Sequence, residues 1–192
     1  METPKKRRKT SETIVNDITL VSKECSDWIC QWDTQNYKDR NPFNKNKQLY
    51  RVSFGENVKN VYKDTFWDIS VLSVELPPKC TVLACNLFKH QRFLTSVTIP
   101  KSVTYICHGC FYGCTNLAEV IFQENPDLTI SFLAFAKTKL EKIRLPDNAQ
   151  LGGISIFEDC DSLKEISIPV NAKLVYRCME GVNSSVTIYI RL

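Results

Sequence analysis

Aliphatic residues recur along this chain in one pattern at nearly constant spacing. Four segments of the form Leu-x-x-Val/Ile-x-apolar begin 23 residues apart, at Leu94, Leu117, Leu140 and Leu163. A further step back of 23 residues reaches Val71, and a step of 22 residues from there reaches Leu49. A fixed period of this length is the sequence signature of a solenoid, in which each unit stacks on its neighbours. The pattern therefore predicts a repeat solenoid that offers a binding surface rather than a pocket for chemistry.

Each unit begins with a predicted strand. In the clearest unit, Val97 and Ile99 are two residues apart, so a strand would place both on one face and Ser96 and Thr98 on the other. Pro100 follows directly and should end the strand, because proline cannot donate to a strand ladder. Proline recurs at this position of other units, as Pro77, Pro146 and Pro169.

The second half of the unit contains a further apolar pair and an aromatic residue, here Val103, Ile106 and Phe111. The aromatic position of the other units holds Phe66, Phe88 and Phe157, with Ala134 in the unit that runs short before Phe135. Since one unit cannot bury such a row alone, stacking is expected to turn each row into a column of the core.

These residues resemble the BspA-like variant of the leucine-rich repeat, whose unit reads roughly Leu-x-x-Ile-x-Ile-Pro-x-x-Val-x-x-Ile-Gly-x-x-Ala-Phe-x-x-Cys-x-x. The resemblance covers about residues 49–190 and is most specific over 94–182, while the first two units lack the Cys. It implies a right-handed curved stack of about six units of 22–23 residues, with one parallel β-sheet along its concave side. The leucine-rich-repeat domain is therefore placed at 49–192, and Val186–Ile190 is interpreted as a truncated edge strand.

The resemblance also implies that the second and fourth residues of each strand lie on the open, concave face of the sheet. The second-place column reads Arg51, Ser73, Ser96, Glu119, Lys142 and Glu165, and the fourth-place column reads Ser53, Glu75, Thr98, Ile121, Arg144 and Ser167. A polar surface that carries both signs of charge suits a protein partner better than nucleic acid. The residues expected to bind that partner are Glu75, Thr98, Glu119, Ile121, Lys142, Arg144 and Glu165. The alternative is a solvated face without a partner.

Charge is concentrated at the N-terminus. The first nine residues hold five of the 25 basic and one of the 21 acidic residues, which leaves 20 of each sign in the remainder. A neutral body argues against specific binding of nucleic acid by the folded domain. Residues 1–10 are predicted to be a disordered tail, in which Pro4, Lys5, Lys6, Arg7, Arg8 and Lys9 resemble a nuclear import signal.

This signal would bind a nuclear import receptor and place the protein in the nucleus, with some in the cytoplasm. The alternative is a solubilising tail or one that binds nucleic acid nonspecifically. No apolar run approaches the length of a membrane span and the N-terminus lacks a secretory core, so neither a membrane partner nor secretion is predicted. Display on a cell surface, which the family resemblance also suggests, is the competing expectation.

Residues 11–48 interrupt the period and are predicted to form a helical N-terminal cap and a connection to the repeats. Ser11 is placed to begin a helix, and apolar residues follow at helical spacing, including Ile14, Ile18, Val21, Cys25, Trp28 and Trp32. Solenoid ends need such a cover. The stretch from Leu20 to Ile29 also faintly resembles half of an F-box, which would make the protein a substrate receptor of a ubiquitin ligase, although the first half of that element is missing.

A four-residue motif competes with the repeat for the same side chains. Arg51, Val52 and Phe54 match the Arg-Val-x-Phe peptide that docks on the catalytic subunit of type-one protein phosphatase as an added edge strand. The repeat register instead makes Val52 and Phe54 the core pair of the first strand. The two roles exclude each other unless that strand leaves the sheet.

Nine cysteines, an odd number, point to reduced thiols in a chain without a signal peptide. Cys107, His108, Cys110 and Cys114 have a spacing that zinc sites use, but Cys110 and Cys114 also fall on small buried positions of the repeat. Packing is therefore the favoured interpretation, and no metal or cofactor is predicted. His90 and His108 lie in no nucleophile motif, and Leu151–Ile154 is a turn rather than a phosphate loop, so no enzyme activity is predicted.

Overall fold

The computed structural model describes residues 15–20, 49–55, 58–59, 61, 63, 65–66, 70–124 and 127–192. The strands in these ranges, in chain order, are β1 (Val15–Leu20), β2 (Leu49–Phe54), β3 (Ser70–Val74), β4 (Val82–Leu83), β5 (Ser96–Ile99), β6 (Tyr105–Ile106), β7 (Glu119–Phe122), β8 (Thr129–Ile130), β9 (Lys142–Arg144), β10 (Gln150–Leu151), β11 (Glu165–Pro169), β12 (Lys173–Leu174) and β13 (Thr187–Arg191). No helix occurs in the described part of the chain.

Parallel pairing of longer strands builds what we call the long-strand sheet. Its hydrogen-bonded groups are β1-β2-β3, β5-β7 and β9-β11-β13, so the ladder is interrupted between β3 and β5 and between β7 and β9. The repeat places like residues opposite each other, as in Val97 opposite Val120 and Ile143 opposite Ile166. The predicted solenoid and its parallel sheet are confirmed.

A second parallel sheet, which the sequence did not reveal, contains only two-residue strands. These strands follow the order β12-β10-β8-β6-β4, one from each of five successive turns. A two-residue strand is too short to show an alternating pattern, so periodicity alone cannot detect it. Four of the five strands contribute one fully buried residue each, namely Leu83, Ile106, Ile130 and Leu151, whereas both residues of β12 are exposed.

A column of stacked phenylalanine rings fills the centre of the solenoid. The rings of Phe66, Phe88, Phe111, Phe135 and Phe157 lie 5.2–5.9 Å apart between successive centroids, with interplanar angles of 4–14°. None of the five side chains exposes more than 1% of its surface. Burying a phenylalanine stabilises a fold by about 1.5–3 kcal/mol, so this column is a major source of stability.

The aromatic position of the fourth unit is filled by Phe135, which corrects the assignment to Ala134. The backbone N–H of Phe111 donates to the carbonyl of Ala134, and that of Phe135 donates to the carbonyl of Ile156, so Ala134 and Ile156 occupy the position just before the ring. The spacing from Phe111 to Phe135 is 24 residues, because the segment after Leu117 contains one extra residue. A segment one residue shorter before Leu140 restores the register.

The predicted N-terminal helix is wrong for residues Val15–Leu20, which form β1 instead. This strand pairs in parallel with β2, from Val15 opposite Leu49 to Leu20 opposite Phe54. Its β-branched residues favour a strand, and β2 would otherwise expose an unpaired edge at this end of the sheet. The rest of the predicted cap, the F-box-like stretch after Leu20 and the basic tail lie outside the described residues.

At the other end of the long-strand sheet, β13 pairs with β11, as the predicted edge strand should. Ile188 and Ile190 continue the columns of Ile166 and Ile168. Their exposed fractions are 46% and 60%, compared with 0% and 2% for the two residues before them in these columns. The described stack therefore ends with part of its core in contact with solvent.

Candidate protein-binding face

Alternation along the long strands places the predicted binding residues on one outward surface, which we call the long-strand face. The residues that alternate with them along each strand point inward and are buried, as Val97, Val120 and Ile143 show. All seven predicted binding residues are exposed: Glu75, Thr98, Glu119, Ile121, Lys142, Arg144 and Glu165. The structure thus brings them to the same side of the solenoid, as the repeat register predicted.

Charges of opposite sign lie on β7, β9 and β11, with Glu119 and Glu165 on either side of the cations of β9. Lys142 on β9 lies opposite Glu165 on β11, and Arg144 lies opposite Ser167. In the described part of the chain, the ion pairs within 4.0 Å are Lys137–Asp159, Lys164–Glu141, Arg177–Glu180 and Arg191–Asp147. The charged groups of Glu119, Lys142, Arg144 and Glu165 are in none of these pairs, so a partner would not have to break one.

A shallow groove of about 510 Å³ crosses the centre of the long-strand face. Glu119, Lys142, Arg144, Glu165 and Ser167 line it, together with residues next to them on the three strands. The groove spans the junction between β7 and β9, where the ladder is interrupted. It is a concave feature of this face, and the unpaired charges line it.

One large apolar side chain lies among these polar groups. Ile121 is 46% exposed and follows Thr98 in register on the neighbouring strand. An exposed isoleucine alone needs no functional explanation. Beside a charged groove, however, it supplies the apolar contact that protein interfaces combine with a polar surround.

The cysteines of the suspected zinc site lie at different depths. Cys110 and Cys114 are fully buried, whereas Cys107 is half-buried. Burial raises the pKa of Cys114 to about 12, and burial together with the neighbouring Cys85 raises the pKa of Cys107 to about 11. The described residues contain no group of cysteine, histidine or carboxylate side chains arranged to hold a metal ion.

The thiols of Cys114 and Cys160 have a structural role that the sequence did not reveal. The thiol of Cys114 donates to the carbonyl of Phe88 at 3.0 Å, and that of Cys160 donates to the carbonyl of Phe135 at 3.1 Å. At the same repeat position, the side-chain amide of Gln91 donates to the carbonyl of Phe66 at 2.7 Å. A buried carbonyl of the preceding turn is thereby satisfied each time. The sequence signal that could have revealed this role is that the three residues occupy the same position of the repeat.

Sequence reasoning also missed a group of basic and aromatic side chains on the turns that lead from short strands to long strands. We call Lys89, His90, Arg92, Tyr112 and Lys137 the turn cluster. The Nζ atoms of Lys89 and Lys137 lie 5.3 and 5.5 Å from the centroid of the Tyr112 ring. The His90 ring meets the same ring edge to face at 5.5 Å. Aligning the turns as columns, in addition to the strands, would have revealed this cluster.

The phosphatase-like motif lies in the interior of the sheet. Its strand β2 is paired with β1 on one side and β3 on the other, so neither edge is open for adding to another protein. Val52 is only 2% exposed, and Phe54 packs against Phe66 with the ring centroids 6.3 Å apart. In this arrangement Val52 belongs to the core and Phe54 packs against it.

No helix in the described residues is long and apolar enough to cross a membrane. The predicted import signal, residues 4–9, lies outside the described ranges.

Comparison with known proteins identifies the repeat. The sequence profile described as "BspA type Leucine rich repeat region" matches residues 31–93 and 83–190, in six copies. No curated protein matches this sequence. The fold is similar to the crystal structure of a leucine-rich repeat protein from Bacteroides ovatus, with 20% sequence identity and a TM-score of 0.50. That match covers 73% of this chain and 45% of the Bacteroides chain. Since the repeat profile spans most of the sequence, the chain belongs to the BspA-type leucine-rich repeat family.

Proposed function

We propose that this chain is a non-catalytic module that binds a protein partner through the long-strand face. The observation that carries this proposal is the groove lined by unpaired Glu119, Lys142, Arg144 and Glu165, with Ile121 on the same surface. These side chains extend from strands of a parallel sheet, so the backbone that carries them loses little conformational entropy when a partner binds. A partner segment that carries both signs of charge and one apolar anchor fits this surface best.

We expect reversal of the two cations, Lys142→Glu with Arg144→Glu, to weaken partner binding about tenfold or more. The new carboxylates, with Glu119 and Glu165, would place four unpaired negative charges around the groove and repel any acidic group of the partner. The measurement is affinity capture from lysate with the tagged full chain, followed by titration of the purified partner against both proteins.

A charge-matched control distinguishes an effect at the long-strand face from a general effect of net charge on binding. Lys101→Glu with Lys173→Glu makes the same change in net charge at exposed positions outside the long-strand face. This control should retain the partner. Equal loss of binding in both variants, with unchanged thermal unfolding, would contradict a site on the long-strand face.

We further propose that the protein acts in the nucleus, on the basis of the cationic run at residues 5–9. Replacing Lys5, Lys6, Arg7, Arg8 and Lys9 by Gln in a fluorescent fusion should shift it from the nucleus to the cytoplasm. As a control, Lys45→Gln with Lys47→Gln removes basic residues outside the run. An unchanged distribution, or labelling at the cell surface, would instead favour the adhesive function that the family resemblance suggests.

The phosphatase and ubiquitin-ligase hypotheses have less support from the described residues. Phosphatase docking would require β2 to leave the sheet and expose Val52, which is buried. The F-box-like stretch begins at Leu20, the last residue of a strand rather than part of a helix. Recovery of either partner in the capture experiment would be the direct test.

A further inference from the structure

The turn cluster lies outside the long-strand face and is assembled from three successive turns of the solenoid. Lys89, His90 and Arg92 come from the turn after β4, Tyr112 from the turn after β6, and Lys137 from the turn after β8. Because the turns stack at a constant interval, residues far apart in sequence lie side by side on the surface that these turns form. Lys89, His90 and Lys137 thereby contact one aromatic ring, and the positive charge of Arg92 acts on His90.

Backbone geometry fixes the position of His90 in the cluster. Its N–H donates to the carbonyl of Tyr112 at 2.8 Å, which ties the histidine to the next turn. Its ring lies against Gly113, where an added Cβ would be only 2.4 Å from Nδ1. Gly113 also has a φ of +71°, a conformation that side chains disfavour. Glycine at this position therefore lets the imidazole lie directly on the neighbouring turn.

Positive charge in the cluster exceeds the negative charge available to balance it. Partial burial, followed by the charges of Lys89, Arg92 and Lys137, lowers the pKa of His90. The described carboxylate that pairs with the cluster is Asp159, 3.7 Å from Lys137, and no described carboxylate lies within 4.0 Å of Lys89 or Arg92. Like charges held together in this way repel each other and cost stability unless an anion balances them.

We propose that the turn cluster is a binding site for a phosphoryl group, either as free phosphate or as a phosphoester on a partner protein. Ammonium, imidazole and guanidinium groups supply several N–H donors from the two turns on either side of Tyr112, which suits an oxyanion with three accepting oxygens. The Tyr112 ring holds two of the ammonium groups in place through cation–π contacts. A dianion would neutralise more of the local charge than a single carboxylate does.

The two histidines of this chain allow the proposal to be tested, with His90 as the reporter of binding and His108 as the internal control. His90 lies in the cluster, whereas His108 packs edge to face on Phe132, with the ring centroids 5.3 Å apart. Ring resonances of both are followed by NMR on the full chain, during titration with inorganic phosphate against chloride of equal ionic strength. We expect phosphate to shift the His90 resonances and to raise the pKa of His90, because a bound anion stabilises the imidazolium. The His108 resonances should not respond.

Two variants change the expected response in opposite directions. Lys89→Gln with Arg92→Gln should weaken phosphate binding about tenfold, because two donors are lost. Asp159→Asn removes the carboxylate that competes for Lys137 and should strengthen binding about two- to threefold. Asp159 has a φ of +54°, which asparagine also tolerates, so this variant should fold. Lys101→Gln with Lys173→Gln is the charge-matched control for the double variant.

A second titration with the tripeptide Gly-phosphoserine-Gly distinguishes the two sources of the phosphoryl group. A stronger response to the peptide would assign the site to phosphoproteins, and a stronger response to phosphate would assign it to the free anion. The proposal is overturned if His90 and His108 respond equally, if neither responds, or if the Lys89→Gln, Arg92→Gln protein binds phosphate as tightly as the parent.

Discussion

Phe111→Ala is expected to lower the free energy of unfolding by about 3–5 kcal/mol, the usual cost of truncating a fully buried phenylalanine. The Phe111 ring lies between those of Phe88 and Phe135, at centroid distances of 5.2 and 5.3 Å. Its removal would leave a cavity bounded by two flat rings that the backbone ladders prevent from moving together. Urea unfolding followed by circular dichroism measures the effect.

Phe132→Ala is the matched control, because it removes the same side chain from an exposed position. The Phe132 ring is 46% exposed, so its loss should cost less than about 1 kcal/mol. If Phe111→Ala prevents folding altogether, Phe111→Leu keeps the test quantitative with a smaller expected loss of about 1 kcal/mol. Equal losses at positions 111 and 132 would show that the phenylalanine column does not determine stability.

The second large effect is expected from Gly153→Ala, which should destabilise the protein by more than about 3 kcal/mol or prevent folding. A Cβ at this position would lie 2.0 Å from the backbone nitrogen of Phe132 and 2.3 Å from the carbonyl carbon of Ser131. Both atoms belong to the main chain of the preceding turn, so no side-chain rotation can relieve the overlap. Thermal unfolding of the purified variant measures the loss.

The neighbouring glycine provides the control for this prediction. At Gly152 the nearest atom to an added Cβ is the Thr129 methyl group, at 3.0 Å, and that group belongs to a side chain which can rotate. Gly152→Ala should therefore cost about 1 kcal/mol or less. A similar loss in both variants would mean that the turns of this unit can separate more easily than the structure indicates.

Period and alternation were sufficient to predict most of the fold. The spacing of Leu94, Leu117, Leu140 and Leu163 identified the stacked units, and the two-residue alternation identified which side chains face outward. The same reasoning placed the residues of the long-strand face correctly, because a strand in a fixed register leaves no freedom about which side a residue occupies.

Two elements were misassigned or missed because tertiary structure decides them. The residues from Val15 to Leu20 can follow either a helical or a strand pattern, and the unpaired edge of β2 selects the strand. The two-residue strands are too short for any periodicity and exist because neighbouring turns offer partners. Sequence alone could not distinguish these cases, since the deciding hydrogen bonds connect residues about 20–35 positions apart.

The two candidate sites differ in how much of each could be predicted from the sequence. The groove depends on a junction between β7 and β9 where the ladder is interrupted, and no residue pattern in the sequence predicts such an interruption. The turn cluster combines residues from three units, of which His90 alone attracted attention as a histidine. Tyr112 and Gly113, which position it, have no chemistry that a motif search would select.

The phenylalanine column also affects how the molecule unfolds. The long-strand ladder is broken between β7 and β9, but the rings of Phe135 and Phe157, which belong to the same two units, stack at 5.9 Å. Solenoids whose neighbouring turns interact weakly come apart in segments, whereas strong coupling makes them melt in a single transition. Here the aromatic column provides the coupling that the interrupted ladder lacks. We therefore expect the turns on either side of the binding groove to lose their structure together, so that the groove keeps its shape while the chain remains folded.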